Sequence, residues 1–329
     1  MTDTNPLLEL RHLRKHYPIK PNFWGRPTAV VHAMDDVCLS VRRGETLSIV
    51  GESGCGKSTL GKTVVRLHQP SSGAILLNGQ RVDNITGAAL RAFRSRVQIV
   101  FQDPFSSLNP RHTVRDTLAE PMANFGIAKT ASDIDARVGH LLDMVGLPRD
   151  AGARYPHQFS GGQRQRIAIA RALAPNPELI VCDEAVSALD VSVKAQIVNL
   201  LQDIQQRTGL TLLFISHDLA IVEHLTHRVA VMYLGRVVEE GDRRSIFGAS
   251  RHPYTRALLS AVPVAAADGK RQRILLKGDV PSPIRPPSGC RFHTRCPFAV
   301  DRCRAEVPQL RDIDRVHRVA CHFDNLPLG

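Results

Sequence analysis

Gly51-Glu52-Ser53-Gly54-Cys55-Gly56-Lys57-Ser58 fits the spacing G-x-x-x-x-G-K-[ST] in full. Glycines let a backbone wrap closely around a phosphate without Cβ clashes. Amides freed at a helix start, with the helix dipole behind them, favour an anion. Lys57 adds a point charge for β- and γ-phosphates, and Ser58 offers a hydroxyl to Mg²⁺. The bland alternative is a glycine turn that happens to precede a helix. The apolar strand before the loop and the helix after it argue against that. Cys55 fills a free position of the motif and reads as incidental.

Leu179-Ile180-Val181-Cys182 is an apolar run that ends in two carboxylates, Asp183 and Glu184. Asp183 can hold Mg²⁺ directly or through water, and Glu184 can orient and deprotonate an attacking water. Consecutive strand residues face opposite ways, so the two carboxylates are expected to do separate jobs. His217 follows the apolar run 212–215 and could contact a γ-phosphate. Gln102 follows the run 97–101 and could ligate Mg²⁺ or water. Taken alone, each of these two is more often structural or merely solvated.

The elements that must carry these residues follow from periodicity. Strands are expected at 37–41, 45–50, 74–77, 97–101, 179–182 and 212–215, with two more within 228–240 around a turn at Gly235. Helices are expected at 57–67, from 160 to 173, and at 191–206. Between 103 and 154 the character is helical, with Ile134, Val138, Leu141, Leu142 and Val145 on one face. Alternating strands and helices imply an α/β fold with a mostly parallel sheet covered on both faces. Beyond about residue 250 the chain becomes rich in Arg and Pro. Pro281, Pro283, Pro286 and Pro287 suit a stiff linker into a small C-terminal module. The expected division is therefore 1–250 and 251–329.

The 329 residues are 43% hydrophobic and 22% charged, which is ordinary globular composition and argues against wholesale disorder. No apolar run approaches the ~18 residues of a membrane helix. The start, Met1-Thr2-Asp3-Thr4-Asn5-Pro6, lacks the layout of a signal peptide. The expectation is a cytosolic chain that meets a membrane from outside the lipid. A net charge of +12 fits nucleic acid, an acidic surface or phosphate ligands equally. Four of the seven cysteines, Cys290, Cys296, Cys303 and Cys321, fall within the last 40 residues. A metal would staple so small a module. Zinc prefers tighter pairs, although His293 and His322 could substitute. A [4Fe–4S] cluster tolerates irregular spacing, and plain reduced thiols are the remaining alternative.

Phe159-Ser160-Gly161-Gly162-Gln163 opens a helix rich in Arg and Ala. Together with the phosphate loop, Gln102, Asp183-Glu184, Ser187-Ala188-Leu189-Asp190 and His217, it resembles the ATP-binding subunit of ABC transporters over residues 8–245. Phe159 stands where Leu is commoner, and Ala185 where Pro is often found. The resemblance implies a P-loop NTPase core of ABC type with an inserted helical subdomain at about 103–165. It also implies two such subunits closing head to tail, so that Ser160 and Gly162 of one touch the γ-phosphate held by the other. The ATP-binding residues it implies are Tyr17, Gly51, Ser53, Gly54, Cys55, Gly56, Lys57, Ser58, Thr59, Ser160, Gly161, Gly162, Gln163 and Asp190, with Tyr17 against the adenine. Glu184, His217 and Gln102 are implied as catalytic, and Ser58, Gln102 and Asp183 as the Mg²⁺ ligands.

The stretches His252-Pro253-Tyr254-Thr255-Arg256-Ala257-Leu258-Leu259 and Gly289-Cys290-Arg291-Phe292-His293-Thr294-Arg295-Cys296-Pro297 resemble the tail of dipeptide and oligopeptide importer ATPases, as does the short Lys15-His16-Tyr17-Pro18. This implies ATP hydrolysis that powers peptide import, with this chain as the second of two ATPase subunits on the cytoplasmic face of a bacterial inner membrane. The implied partners are another ATPase subunit, two transmembrane permease subunits and an extracytoplasmic peptide-binding protein, with no nucleic acid. The resemblance also allows a [4Fe–4S] cluster on the four tail cysteines. The alternative reading is a soluble ABC-type ATPase acting on nucleic acid. It is disfavoured by the single copy of each motif and the absence of sustained heptads. A non-catalytic nucleotide sensor is disfavoured by the intact Glu184 and His217.

Overall fold

The structure is a computed structural model that describes residues 5–21, 27–262, 273–323 and 326. Its strands are β1 (Leu8–Pro21), β2 (Pro27–Val41), β3 (Thr46–Val50), β4 (Ser72–Leu77), β5 (Gln80–Arg81) and β6 (Val97–Val100). Then come β7 (Leu179–Asp183), β8 (Thr211–Ile215), β9 (Arg228–Tyr233), β10 (Arg236–Asp242), β11 (Arg311–Asp312) and β12 (Arg318–Val319). Among the described residues they form two sheets, ordered β11-β12-β10-β9-β3-β8-β7-β6 and β2-β1-β4-β5. β9, β3, β8, β7 and β6 run parallel. Every residue of β3, β7 and β8 is buried, as expected where both faces of a parallel sheet are covered.

Alternation sorts these strands between two cores. Leu179, Val181, Leu213 and Ile215 join one apolar cluster with Leu47, Ile49 and the antiparallel sheet. Ile180, Cys182, Leu212 and Phe214 join the other, with the helices that follow residue 103. The helix Lys57–Val64 lies on the first face. A Cβ at its Gly61 would come within 2.8 Å of the Ile215 side chain and 3.0 Å of the Val181 side chain. Glycine is what lets this helix sit so close to the sheet.

The helical segment holds Val114–Phe125 and Ala131–Met144. The first begins in a reciprocal Thr113–Asp116 capping box and ends at Gly126 in the left-handed region. Val138, Leu141, Leu142 and Val145 are buried, and Ile134 packs against them, which is the face that the periodicity indicates.

Two features differ from the sequence expectation. β1 forms a long hairpin with β2, with register shifts between Leu10 and Leu13 and again before His16. The buried residues Leu8, Leu10 and Leu13 therefore break strict alternation, because a bulge inserts a residue. The Pro-rich stretch, moreover, does not hold a module at a distance. His32 donates a backbone hydrogen bond to Pro283 at 2.9 Å. Phe292 lies in the main core, and β12 pairs with β10 through Glu239–Val319 and Glu240–Arg318. The tail extends the principal sheet.

Candidate functional site

The parallel register aligns the strand ends: Ile49 sits beside Ile215, Asp183 beside Ile215, and Val100 beside Cys182. The segments that leave β3, β6, β7 and β8 therefore emerge on one rim, the edge where open α/β sheets bind ligands. They carry the phosphate loop, Gln102, Asp183-Glu184 and His217.

Gly51, Gly54 and Gly56 have φ of 151°, 78° and 104°, values that L side chains rarely adopt. A Cβ at Gly56 would meet the Ala33 carbonyl oxygen at 2.1 Å, and one at Gly51 the Met232 carbonyl at 2.2 Å. The β9–β10 hairpin supports the loop from behind. Its Leu234 and Gly235 both have positive φ, as a type I′ turn requires. Gly235 donates to the Cys55 carbonyl at 2.8 Å and accepts from Asp35 at 2.9 Å. Lys57 is 4% exposed and donates to the carbonyls of Gly51 at 2.8 Å and Glu52 at 3.0 Å. The Cys55 thiol is buried 3.8 Å from that ammonium, and burial pushes its pKa up.

Ser58, Gln102 and Asp183 line one cleft of about 340 Å³ with Lys62. Burial raises the Asp183 pKa, a hydrogen bond with Ser58 opposing it. Its Oδ1 is buried with no hydrogen-bond partner. Such an oxygen beside a hydroxyl and an amide suits a hard cation, which prefers oxygen ligands. A larger cavity of about 630 Å³ lies at the opposite ends of β7 and β8, lined by Pro177, Leu210 and Thr211 among others, and holds none of the motif residues.

Glu184 does not continue the pleat of β7. The strand ends at Asp183, Glu184 has φ of 51°, and its N–H donates to Ile215 at 3.0 Å. A left-handed turn, rather than strand alternation, separates the two carboxylates and aims Glu184 at His217, whose Nδ1 is 3.3 Å from its Oε2. Tyr17 on β1 lies edge-on to His68 with centroids 5.8 Å apart. The Lys15 ammonium is 4.8 Å from the Tyr17 ring centre, and burial raises the pKa of the Tyr17 hydroxyl.

Ser160 caps the helix Gly161–Leu173 in a reciprocal box with Gln163, at 3.3 Å and 3.0 Å, and is itself exposed. At Gly162 a Cβ would strike Val193 at 2.5 Å, so this helix start packs against the Val191–Thr208 helix that exposed Asp190 begins. Within the chain this tip makes no part of the cleft lined by Ser58 and Asp183.

The tail cysteines are unpaired thiols. Burial pushes the pKa of Cys290 and Cys296 up to about 11 and raises that of Cys321. Their mutual electrostatic influence, extending to Cys303, places all four in one neighbourhood. Among the described residues, three ligating atoms within 4.8 Å of one another occur at His12, Asp36 and Cys38.

Sequence reasoning missed Tyr254 and Arg295 as neighbours of the loop. The Glu52 N–H donates to the Tyr254 hydroxyl at 2.8 Å, and Arg295 pairs with the Glu52 carboxylate at 2.7 Å. More than 200 residues separate each pair in sequence. Only the two aromatic-and-basic tail motifs hinted at it.

A family model described as ABC transporter matches residues 34–187, and one described as oligopeptide/dipeptide transporter, C-terminal region, matches residues 238–303. The chain is 53% identical to a probable peptide ABC transporter ATP-binding protein of Sinorhizobium fredii, over 97% of this chain and 90% of that one. It is 50% identical to the oligopeptide transport ATP-binding protein AppF of Bacillus subtilis, over 96% and 97%. Among solved structures it is similar to cbiO1 of Clostridium perfringens, part of an ABC transporter complex, at TM-score 0.64 and 28% identity over 74% of this chain and 91% of that one. It is also similar to the ATP-binding cassette MJ0796 in a dimeric post-hydrolysis state bound to ADP and phosphate, at TM-score 0.63 and 28% identity over 72% and 99%. With near-half identity over nearly its whole length, and a phosphate loop, carboxylate pair and helix tip in their places, this chain belongs to the ATP-binding subunits of ABC transporters, in the group that carries the oligopeptide/dipeptide C-terminal region.

Proposed function

We propose that this chain is one of two ATPase subunits, the second of a pair, that power import of di- and oligopeptides from the cytoplasmic face of a bacterial inner membrane. The carrying observation is the convergence of Lys57, Ser58, Gln102 and Asp183 on one rim in a chain whose tail matches the oligopeptide/dipeptide transporter region. That tail, and the relatives' peptide-import names, favour transport over nucleic-acid work.

In this reading Gly51, Ser53, Gly54, Cys55, Gly56 and Thr59 cradle the phosphates through the backbone, and Lys57 meets their charge. Ser58, Gln102 and Asp183 would hold Mg²⁺, which would supply positive charge against the triphosphate. Glu184 holds a water in line with the γ-phosphorus and takes its proton. The phosphorus–oxygen bond to the β-phosphate breaks, its electron pair leaves with ADP, and phosphate is released. His217, beside Glu184, contacts the γ-phosphate. Ser160, Gly161, Gly162 and Gln163 supply a second anion site to the nucleotide of the other subunit, with Asp190 beside that interface, and Tyr17 packs on the adenine.

The permease contact follows Gln102. Phe105 is 61% exposed there, with the Arg164 guanidinium 4.0 Å from its ring centre. Division of the chain into 1–250, with a helical part at about 103–165, and 251–329 describes these jobs. For the tail thiols the reading is a [4Fe–4S] cluster. The wide, irregular sequence spacing of Cys290, Cys296, Cys303 and Cys321 suits a cubane better than the tighter pairs that zinc prefers. Iron and acid-labile sulfide in protein purified without air would support it, and a colourless, metal-free, folded sample would remove it.

The function is tested by co-purifying the chain with its membrane partners and measuring peptide uptake into vesicles. ATP-dependent uptake of short peptides is expected. ATP hydrolysis that no peptide or peptide-binding protein stimulates, with no uptake, would refute it.

A further inference from the structure

Glu52 occupies a position that the phosphate-loop motif leaves free, yet it is held at three points. Its N–H donates to the Tyr254 hydroxyl at 2.8 Å. Its carbonyl accepts from the Lys57 ammonium at 3.0 Å. Its carboxylate receives both arms of the Arg295 guanidinium, at 2.7 Å and 3.1 Å. Neither holding residue is free to wander. Tyr254 is fully buried, with its ring centre 4.7 Å from that of Tyr233 and 5.5 Å from that of Phe292. The Arg295 side chain is 8% exposed, and the Glu52 hydrogen bond is the main cause that holds its pKa above the ordinary value.

An ammonium has three donors. Here two of them go to the carbonyls of Gly51 and Glu52, so the place of the Lys57 charge depends on where the Glu52 peptide sits. The flanking glycines at 51 and 54 restrain that peptide little. A forked, largely buried Arg–carboxylate pair fixes geometry in a way that a surface pair does not.

We propose that Tyr254 and Arg295 are positioning residues of the nucleotide site: they hold Glu52, and through its carbonyl Lys57, so that the loop meets a triphosphate already in register. This rests on the reading of residues 51–58 as the triphosphate cradle. It makes the C-terminal region, in which Cys296 directly follows Arg295, a working part of the nucleotide site.

The test uses the full chain assembled with its partner subunits. Affinity for a fluorescent ATP analogue is measured together with KM and kcat for Arg295→Gln, Glu52→Gln, their double variant, Tyr254→Phe, and the exchange Glu52→Arg with Arg295→Glu. Each single variant is expected to raise Kd and KM about tenfold, equal to about 1.4 kcal/mol, with kcat within about threefold. The double variant should be no worse than either single one, and the exchange should recover most of the affinity. Tyr254→Phe should act the same way, because it strands the Glu52 N–H. Lys57→Ala separates the two claims. If Lys57→Ala weakens binding while the Glu52, Arg295 and Tyr254 variants all bind like the parent, the positioning role is overturned alone. If Lys57→Ala also binds like the parent, the cradle itself is overturned. Additive losses with no recovery in the exchange would reduce the pair to ordinary packing and overturn the proposal.

Discussion

Asp183 has a buried carboxylate oxygen without a partner, and burial raises its pKa. A raised carboxylate pKa means that the charged form is the one the fold disfavours, so near neutral pH the metal-free protein carries that cost. Asp183→Asn is therefore expected to leave the unfolding temperature in EDTA unchanged or a few degrees higher, while MgATP turnover is lost. A lower unfolding temperature would show that Asp183 is a structural partner instead. Glu184 sits apart in a left-handed turn beside His217, and the proposed function gives it the attacking water. Glu184→Gln should retain ATP binding and slow hydrolysis by about 100-fold or more; turnover within a fewfold of the parent would reject the role. The types and order of these residues were legible in the sequence. The turn at Glu184 was not, because a positive φ at a glutamate leaves no mark on the local pattern.

At the scale of elements, the loop and its helix are fixed by close approach. Gly56→Ala places a methyl against the Ala33 carbonyl in a backbone region hostile to it. ATP affinity is expected to fall sharply, with a lower unfolding temperature, and parent-like affinity by calorimetry would contradict the crowding. The helix Pro253–Ser260, which presents Tyr254, is capped by His252 Nδ1, an acceptor for the Tyr254 N–H at 3.1 Å. Burial lowers the His252 pKa from 6.5 to about 4. A depressed pKa contributes stability above about pH 6.5, which is lost as pH falls toward 4, on the order of 3 kcal/mol. Unfolding temperature should drop across that window, and His252→Asn, which keeps a cap, should flatten that drop. An unchanged slope in His252→Asn would refute the assignment. The central strands and the helices at 57, 131, 161 and 191 could be read from periodicity, because each buries a regular face. β1 could not, since its bulges break alternation, nor could the two-residue strands β11 and β12, which are held by pairing with β10 rather than by pattern.

At the scale of the molecule, the Ser160 tip does not line the cleft of Ser58 and Asp183 within one chain, and in the proposed function a second subunit completes each site. The tail joins the same sheet through β12 and reaches the loop through Tyr254 and Arg295. Long-range pairs of this kind are invisible to local reading. The central claim is that ATP held at residues 51–58 is closed over by another subunit, whose site the Ser160 tip completes in turn. The direct measurement is thiol labelling of Ser160→Cys in a Glu184→Gln background, within the complex assembled with its partners, read by peptide mass mapping. Ser160 is exposed here, so labelling should be fast without nucleotide and strongly suppressed by MgATP. Equal labelling with and without MgATP, in a complex that demonstrably binds it, would contradict the account.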